Sequence, residues 1–216
     1  MSGPARRPAR LVVVTGTGTG VGKTWWTAAA ASALRERGVR VAARKPVQSY
    51  APGDGPTDAD VLAAATGSEP EAVCPRNRWY QVAMAPPMAA DALGRPPFAV
   101  VDLCRETVWP DAIEIGFVEG AGGPRSPLAA DGDTVDLAAA LAADAIVLVA
   151  DAGLGTVNAV RLAMGVLAPV APVTVVLNRY DGADELHRRN RAWLAERDGF
   201  TVVDTVDGLL GRLAPA

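Results

Sequence analysis

Three observations predict an α/β fold with a mostly parallel central sheet and helices on both faces. Short β-branched runs alternate with Ala-rich helical stretches along the 216 residues. Several runs are apolar on consecutive residues, as in strands covered on both sides. A glycine-rich segment ends the first run and opens the first helical stretch, the setting of a phosphate-binding loop. The class is therefore P-loop NTPase-like. Alternation of this kind builds βαβ units, whose ligands bind beyond the carboxyl ends of the strands. The loops that follow strands are where chemistry is to be sought.

In chain order, the basic, Pro-rich residues 1–8 read as a disordered tail, and residues 9–216 as one nucleotide-binding domain. Leu11–Thr15 is the first strand, and Lys23–Arg37, rich in alanine, the first helix. Val39–Arg44 follows as a strand. Gln48–Thr57 (QSYAPGDGPT) carries the Gly and Pro of a mobile loop. Asp58–Thr66 is a helix, Cys74–Pro87 an irregular stretch with three prolines, and Pro87–Leu93 and Val100–Val108 two further helices. Ile113–Glu119 is an apolar strand ending in a carboxylate. Val135–Ala142 is a helix, Ala145–Ala150 a strand, Val157–Leu167 a helix and Val173–Leu177 a strand. Asp184–Arg197 is a helix and Thr201–Val206 the last strand.

Composition removes several function classes. A chain of this length buries roughly 70% of its unfolded surface and needs no staples. One histidine and two cysteines exclude a multi-ligand His/Cys zinc site and a disulfide scaffold. The thiols suit a reducing, cytoplasmic setting. A net charge of -3, from 21 basic and 24 acidic side chains, gives no electrostatic reason for nucleic acid as partner. No segment reaches the ~20 apolar residues that span a bilayer.

The glycine-rich segment is Thr15-Gly16-Thr17-Gly18-Thr19-Gly20-Val21-Gly22-Lys23-Thr24. Glycines let backbone N–H groups turn toward phosphate oxygens, and the helix start favours anions. Lys23 can reach the β/γ-phosphates, and the Thr24 hydroxyl can bind Mg²⁺. Five residues separate Gly16 from Gly22, one more than the general pattern has. Trp25 and Trp26, just inside the helix, read as packing residues.

Lys45-Pro46-Val47-Gln48-Ser49 ends the second strand. Proline holds the lysine in extended backbone, aimed where the phosphate loop is aimed. A second lysine would offset charge developing on a transferring phosphoryl group. It could equally be a surface lysine. Thr57-Asp58-Ala59-Asp60 starts a helix, where two roles fit Asp58: capping the helix or giving an oxygen to Mg²⁺. Val118-Glu119-Gly120-Ala121-Gly122-Gly123 is a strand ending in a carboxylate, then glycines. Glu119 stands where P-loop proteins place an acidic metal contact, and Gly122 lets the backbone approach a phosphate. Gly153–Asn158 precedes a helix, so it either caps that helix or offers its N–H groups to a carboxylate.

Taken together, these stretches resemble the dethiobiotin synthetases. The matching segments are Gly16–Thr24, Lys45-Pro46-Val47, Thr57-Asp58-Ala59, Val118–Gly123 and Asp151-Ala152-Gly153-Leu154-Gly155-Thr156-x-Asn158, in the family's order. The long spacer of the phosphate loop is the family's own. The resemblance implies a homodimer that closes 7,8-diaminopelargonic acid with CO₂ to dethiobiotin, using ATP and Mg²⁺ and releasing ADP and phosphate. It implies Lys23 and Lys45 as catalytic cations on phosphate and carbamate. Thr24, Asp58 and Glu119 would hold Mg²⁺. The nucleotide would meet Gly18, Thr19, Gly20, Val21, Gly22, Lys23, Thr24, Glu119, Gly122 and Asn178, the last at the base. The substrate would meet Thr19, Lys45, Ser49, Gly153, Leu154 and Asn158, with the segment from Gly153 supplied by the neighbouring subunit.

The match has departures. Gly18 and Gly20 stand where many members carry Asp and Glu. Asn178-Arg179-Tyr180-Asp181 also resembles the base-reading motif of GTPases, so ATP is the family default and not read from the residues. From Asp184 onward no counterpart is quoted. Two other P-loop classes compete. Amide synthetases carry a glutaminase domain for which this chain is too short. Partitioning or positioning ATPases place a lysine early in the phosphate loop, where this chain has Thr17 and Gly18.

Overall fold

A computed structural model describes residues 7–213. Its elements in chain order begin with β1 (Arg10–Gly16), α1 (Lys23–Glu36), β2 (Val41–Arg44), β3 (Gln48–Ser49), α2 (Asp58–Thr66) and α3 (Pro70–Val73). A 3₁₀ turn at Arg76–Arg78 leads into β4 (Trp79–Tyr80), α4 (Pro86–Ala92), α5 (Val100–Glu106) and β5 (Ile115–Glu119). Then come β6 (Pro127–Ala129), β7 (Gly132–Asp133), α6 (Thr134–Ala140), β8 (Ala145–Asp151), α7 (Thr156–Leu167) and β9 (Val173–Asn178). The chain closes with α8 (Glu185–Ala192), a π-helical turn at Trp193–Arg197, β10 (Thr201–Val203) and α9 (Val206–Leu213).

The main sheet has six strands in the order β10-β9-β8-β1-β5-β2, and every pairing in it is parallel. The two-stranded pairs β3-β4 and β6-β7 lie apart from it. Alternation along β1 explains the layers. Leu11 and Val13 point into a core with α4, α5, α6 and α7. Val12 and Val14 point into a second core with α1, α2 and α9. Burial on both faces is why these strands are apolar at consecutive positions. No helix among the described residues is long and apolar enough to cross a membrane.

The expected strands and helices form, with three corrections. The tail does not extend to Pro8: Pro8 is buried against Gly116, and Arg7 donates to Asp144 Oδ2 at 2.9 Å. Residues 1–6 of the expected tail lie outside the described residues. The last strand stops at Val203, because Val206 already opens α9. The loop expected over Gln48–Thr57 begins as strand, since Gln48 and Ser49 pair with Trp79 and Tyr80.

Strand order places the site. β1 lies between β8 and β5, and β5 separates it from β2. The chain leaves β1 toward one side and later returns on the other, which opens a crevice at the carboxyl ends. The phosphate loop after β1, Lys45 after β2 and Glu119 at the end of β5 all meet there.

Candidate active site

The phosphate loop turns from β1 into α1 through Gly22, whose φ of 101° is left-handed, a conformation that favours glycine. Lys23 is buried, and its Nζ donates to the Gly18 carbonyl oxygen at 2.8 Å. Burial, reinforced by repulsion from Lys45, pulls the Lys23 ammonium down to about 8. Its charge is therefore held at a cost that an arriving polyanion would relieve.

Lys45 is no surface residue. Only 2% of it is exposed. Its Nζ lies 2.7 Å from Asp58 Oδ2 and 2.8 Å from Glu119 Oε1, and donates to the Gly120 carbonyl at 2.9 Å. Burial alone would push this ammonium down, but Asp58 and Glu119 outweigh it and hold it above the usual lysine range. Lys45 in turn holds the Asp58 carboxyl below the usual carboxylate range, against the effect of burial.

Helix α2 explains how Asp58 comes free for this role. Thr57 and Asp60 form a reciprocal capping box: Asp60 Oδ2 accepts the Thr57 N–H at 2.8 Å, and Thr57 Oγ1 accepts the Asp60 N–H at 3.3 Å. The cap is thus Thr57, and of the two roles open to Asp58 capping is removed. Gln48 Oε1 accepts the Ala59 N–H at 3.0 Å and ties the start of α2 to β3.

Thr24 Oγ1 lies 2.9 Å from Asp58 Oδ1 and 2.8 Å from Glu119 Oε1. Thr27, one turn further along α1, lies 3.1 Å from Glu119 Oε2. A hydroxyl and two carboxylates thus converge beside two lysines. Oxygen donors of this kind suit Mg²⁺, which completes its shell with water and phosphate. Among the described residues no group of three or more His, Cys, Asp or Glu side chains is placed to hold a metal ion, so the donors here are two carboxylates and a hydroxyl. Cys74 is buried, and burial pushes its thiol up to about 12, so it is no nucleophile.

A cavity of about 530 Å³ opens over this group. Thr19, Gly20, Gly22, Lys23, Thr24, Lys45, Ser49, Asp58 and Gly122 line it, so most of the expected site residues are brought together. Ser49 Oγ donates to the Met84 carbonyl at 2.6 Å on the rim. Gly122 has a φ of 68° and lies so close to Ser126 that a Cβ there would meet its Oγ at 2.4 Å. Gly18 and Val21 contribute backbone carbonyls, to Lys23 and Asn178. Gly153, Leu154 and Asn158 do not line the cavity: Leu154 and Asn158 are exposed, at the start of α7.

A second cavity of about 530 Å³ adjoins the first and shares Gly22 and Trp25 with it. Asn178, Asp204 and Thr205 are among the residues that line it. Here the packing expectation fails for Trp25, which is 58% exposed and walls both cavities. It holds for Trp26, which is buried in the α1 core. Gln48, Thr27 and Ser126 were not anticipated. Thr27 lies four residues after Lys23, on the same helix face, which is the one signal the sequence offered.

The match to known proteins extends beyond this site. Residues 10–210 match a family model described as an AAA domain. ATP-dependent dethiobiotin synthetase BioD of Rhodococcus jostii (strain RHA1) is 40% identical over 212 residues, covering 95% of this chain and 90% of that protein. The protein of the same name from Anaeromyxobacter sp. (strain Fw109-5) is 42% identical over 183 residues, 82% of this chain and 79% of its own. That from Haloferax mediterranei is 38% identical over 194 residues, 88% and 80%. Among solved structures, chloroplast FtsY from Physcomitrella patens superposes with a TM-score of 0.51 at 15% identity, covering 98% of this chain and 67% of that one. A DUF1611 family protein from Anabaena variabilis does so with a TM-score of 0.53 at 18% identity, covering 94% and 57%. Those two likenesses concern the fold. Identity near two residues in five along almost the whole chain concerns the protein as a unit, and by it this chain belongs to the family of ATP-dependent dethiobiotin synthetases.

Proposed function

We propose that the first cavity is where this chain joins CO₂ to the two amines of 7,8-diaminopelargonic acid, and that the lysine-carboxylate group beneath it performs the phosphoryl transfer. As a member of its family the chain is a ligase that closes a ring at the expense of ATP. The partitioning and amide-synthetase alternatives are not favoured by its relatives. The observation that carries the residue assignment is Lys45: a buried ammonium, in the same cavity as the phosphate-loop lysine.

The chemistry follows from charge. One amine adds to CO₂ and loses a proton, giving a carbamate. A carbamate oxygen takes the γ-phosphoryl group, and ADP leaves. The second amine attacks the carbamoyl carbon, phosphate departs, and loss of a proton completes the cyclic urea. The first two partners are both anions, so cations are needed to bring them together. Lys23 binds the β/γ-phosphates, where the polyanion restores its full charge. Lys45 would turn to the carbamate and the transferring oxygen N–H groups that otherwise reach Asp58, Glu119 and the Gly120 carbonyl. Thr19 and Ser49 orient the diamine, and Asn178 meets the base. Thr24, Asp58 and Glu119 would hold Mg²⁺, which supplies charge neutralisation on the phosphates. Gly153, Leu154 and Asn158 would meet the substrate's carboxylate from a second copy of the chain. Two free thiols support a cytoplasmic location.

The test is a labelled product assay. With the diamine, ¹³C-bicarbonate, Mg²⁺ and ATP, mass spectrometry should find dethiobiotin carrying the label, and none without ATP. An unlabelled product, or no product, would overturn the reading.

A further inference from the structure

We propose that Trp26 is a positioning residue for base recognition: its indole N–H fixes the orientation of the Asn178 amide, and so sets which base edge the second cavity accepts. The inference rests on the reading that Asn178 meets the nucleobase.

The Asn178 amide is held at both ends. Its Oδ1 accepts from Trp26 Nε1 at 2.9 Å. Its Nδ2 donates to the Val21 carbonyl at 2.9 Å. Amide oxygen and nitrogen are often interchangeable in a structure, because neighbours can serve either way. Here they cannot. An indole nitrogen only donates, and a backbone carbonyl only accepts. Turning the amide over would set N–H against N–H and oxygen against oxygen. Trp26 cannot move to accommodate it, being only 3% exposed in the α1 core. Gly22 leaves room for the amide in this pose, since a Cβ there would lie 2.3 Å from Nδ2. That glycine therefore serves the amide as well as the phosphate loop.

What remains of Asn178 for a ligand is one N–H and one oxygen lone pair, in a fixed order. An edge with an amino group beside a ring nitrogen, as in adenine, matches one order. A keto group beside a ring N–H, as in guanine, matches the reverse. Locking the amide converts a residue that could serve both edges into one that discriminates. The two cavities share Gly22 and Trp25. A nucleotide with phosphates in the first cavity can thus carry its base into the second along the exposed Trp25 ring.

The test compares kcat/KM for ATP and GTP in three proteins. These are the wild type, Trp26→Phe, and a chain with 3-benzothienylalanine at position 26, which keeps the ring shape and lacks the N–H. Both altered proteins should lose about fivefold to tenfold in the ATP-over-GTP ratio, the scale of one hydrogen bond. The loss should fall on KM and not on kcat. If Trp26→Phe fails to fold, the isosteric protein carries the comparison. An unchanged ratio in the isosteric protein overturns the proposal. Asn178→Ala separates the two claims. If it leaves ratio and KM unchanged, the base-site reading itself falls. If it alters the ratio while the position-26 proteins do not, only the role of Trp26 falls.

Discussion

Lys45 neutralises two carboxylates that would otherwise face one another, and Glu119 is fully buried. Removing one member of such a group leaves an uncompensated buried charge, typically costing about 3–5 kcal/mol. Lys45→Ala should therefore abolish ring closure, by about 10³-fold, and lower thermal stability as well. The pH dependence distinguishes charge from packing. Without the lysine, burial of the Asp58 carboxyl is no longer offset and favours its protonated form, so the deficit against wild type should shrink between pH 8 and pH 5. A deficit constant across that range would show that Lys45 acts by packing alone. In the wild type the sign is opposite. Asp58 has a depressed folded value, so its contribution is present above the unfolded carboxylate range near about 4 and lost as pH falls through the folded value. Lys23 titrates within reach of assay, at about 8. As pH rises through that value the free enzyme loses the cation that meets the phosphates, so kcat/KM for ATP should fall. Bound triphosphate restores the proton, and calorimetry in buffers of different ionisation enthalpy should record proton uptake just above pH 8. No uptake there would remove Lys23 as the group that titrates.

Helix α2 shows how an element delivers one side chain. Its capping box is complete without Asp58, so Thr57→Ala should cost about 1 kcal/mol, roughly 2–4 °C in Tm for a domain of this size. It should also raise KM by loosening the backbone that presents Asp58. A Tm loss with unaltered kinetics would show that Gln48 alone suffices to position the helix. The same helix shows what the sequence could and could not reveal. Its bounds were legible, because Thr57 and Asp60 are local signals. The choice between capping and ligation for Asp58 was not, because it depends on Lys45 arriving from another strand. Helix α9 escaped notice for a different reason. Gly208 and Gly211 lie among its eight residues, and glycine costs about 1 kcal/mol in a helix interior. Leu209, Leu210 and Leu213 pay that cost by packing on the α1 core, a tertiary gain invisible in propensity. The β3-β4 pairing joins Gln48 to Trp79 across a span no local pattern reports. By contrast, the phosphate loop, Lys45 and Glu119 were legible because each closes an apolar strand, and parallel topology then brings strand ends together.

The molecule as a whole places one expected group of substrate contacts outside its own cavity. Helix α7 buries Val160, Ala163, Met164 and Leu167 against the sheet. Asn158, Leu162 and Gly165, spaced four and three residues apart, share its opposite, exposed face. Leu154, just before the helix, is 92% exposed and Leu162 is 69% exposed. Exposed leucines beside residues expected to bind substrate are accounted for together if this face meets a second copy of the chain, whose cavity then receives Leu154 and Asn158. A dimer makes each site depend on both chains, while the phosphate loop and Asn178 remain within one. Leu162→Glu should therefore separate the two functions. Charge on that face should shift the sedimentation mass from two chains to one, with the circular dichroism spectrum unchanged. Ring closure should fall at least about tenfold through KM for the diamine, since a charge desolvated in an interface costs several kcal/mol. Nucleotide binding, followed by quenching of the exposed Trp25, should persist, and a Trp25→Phe control identifies that signal. A wild-type mass of one chain at assay concentrations would refute the shared site. So would a monomeric Leu162→Glu protein with undiminished affinity for the diamine, because a single chain would then hold every contact the substrate needs.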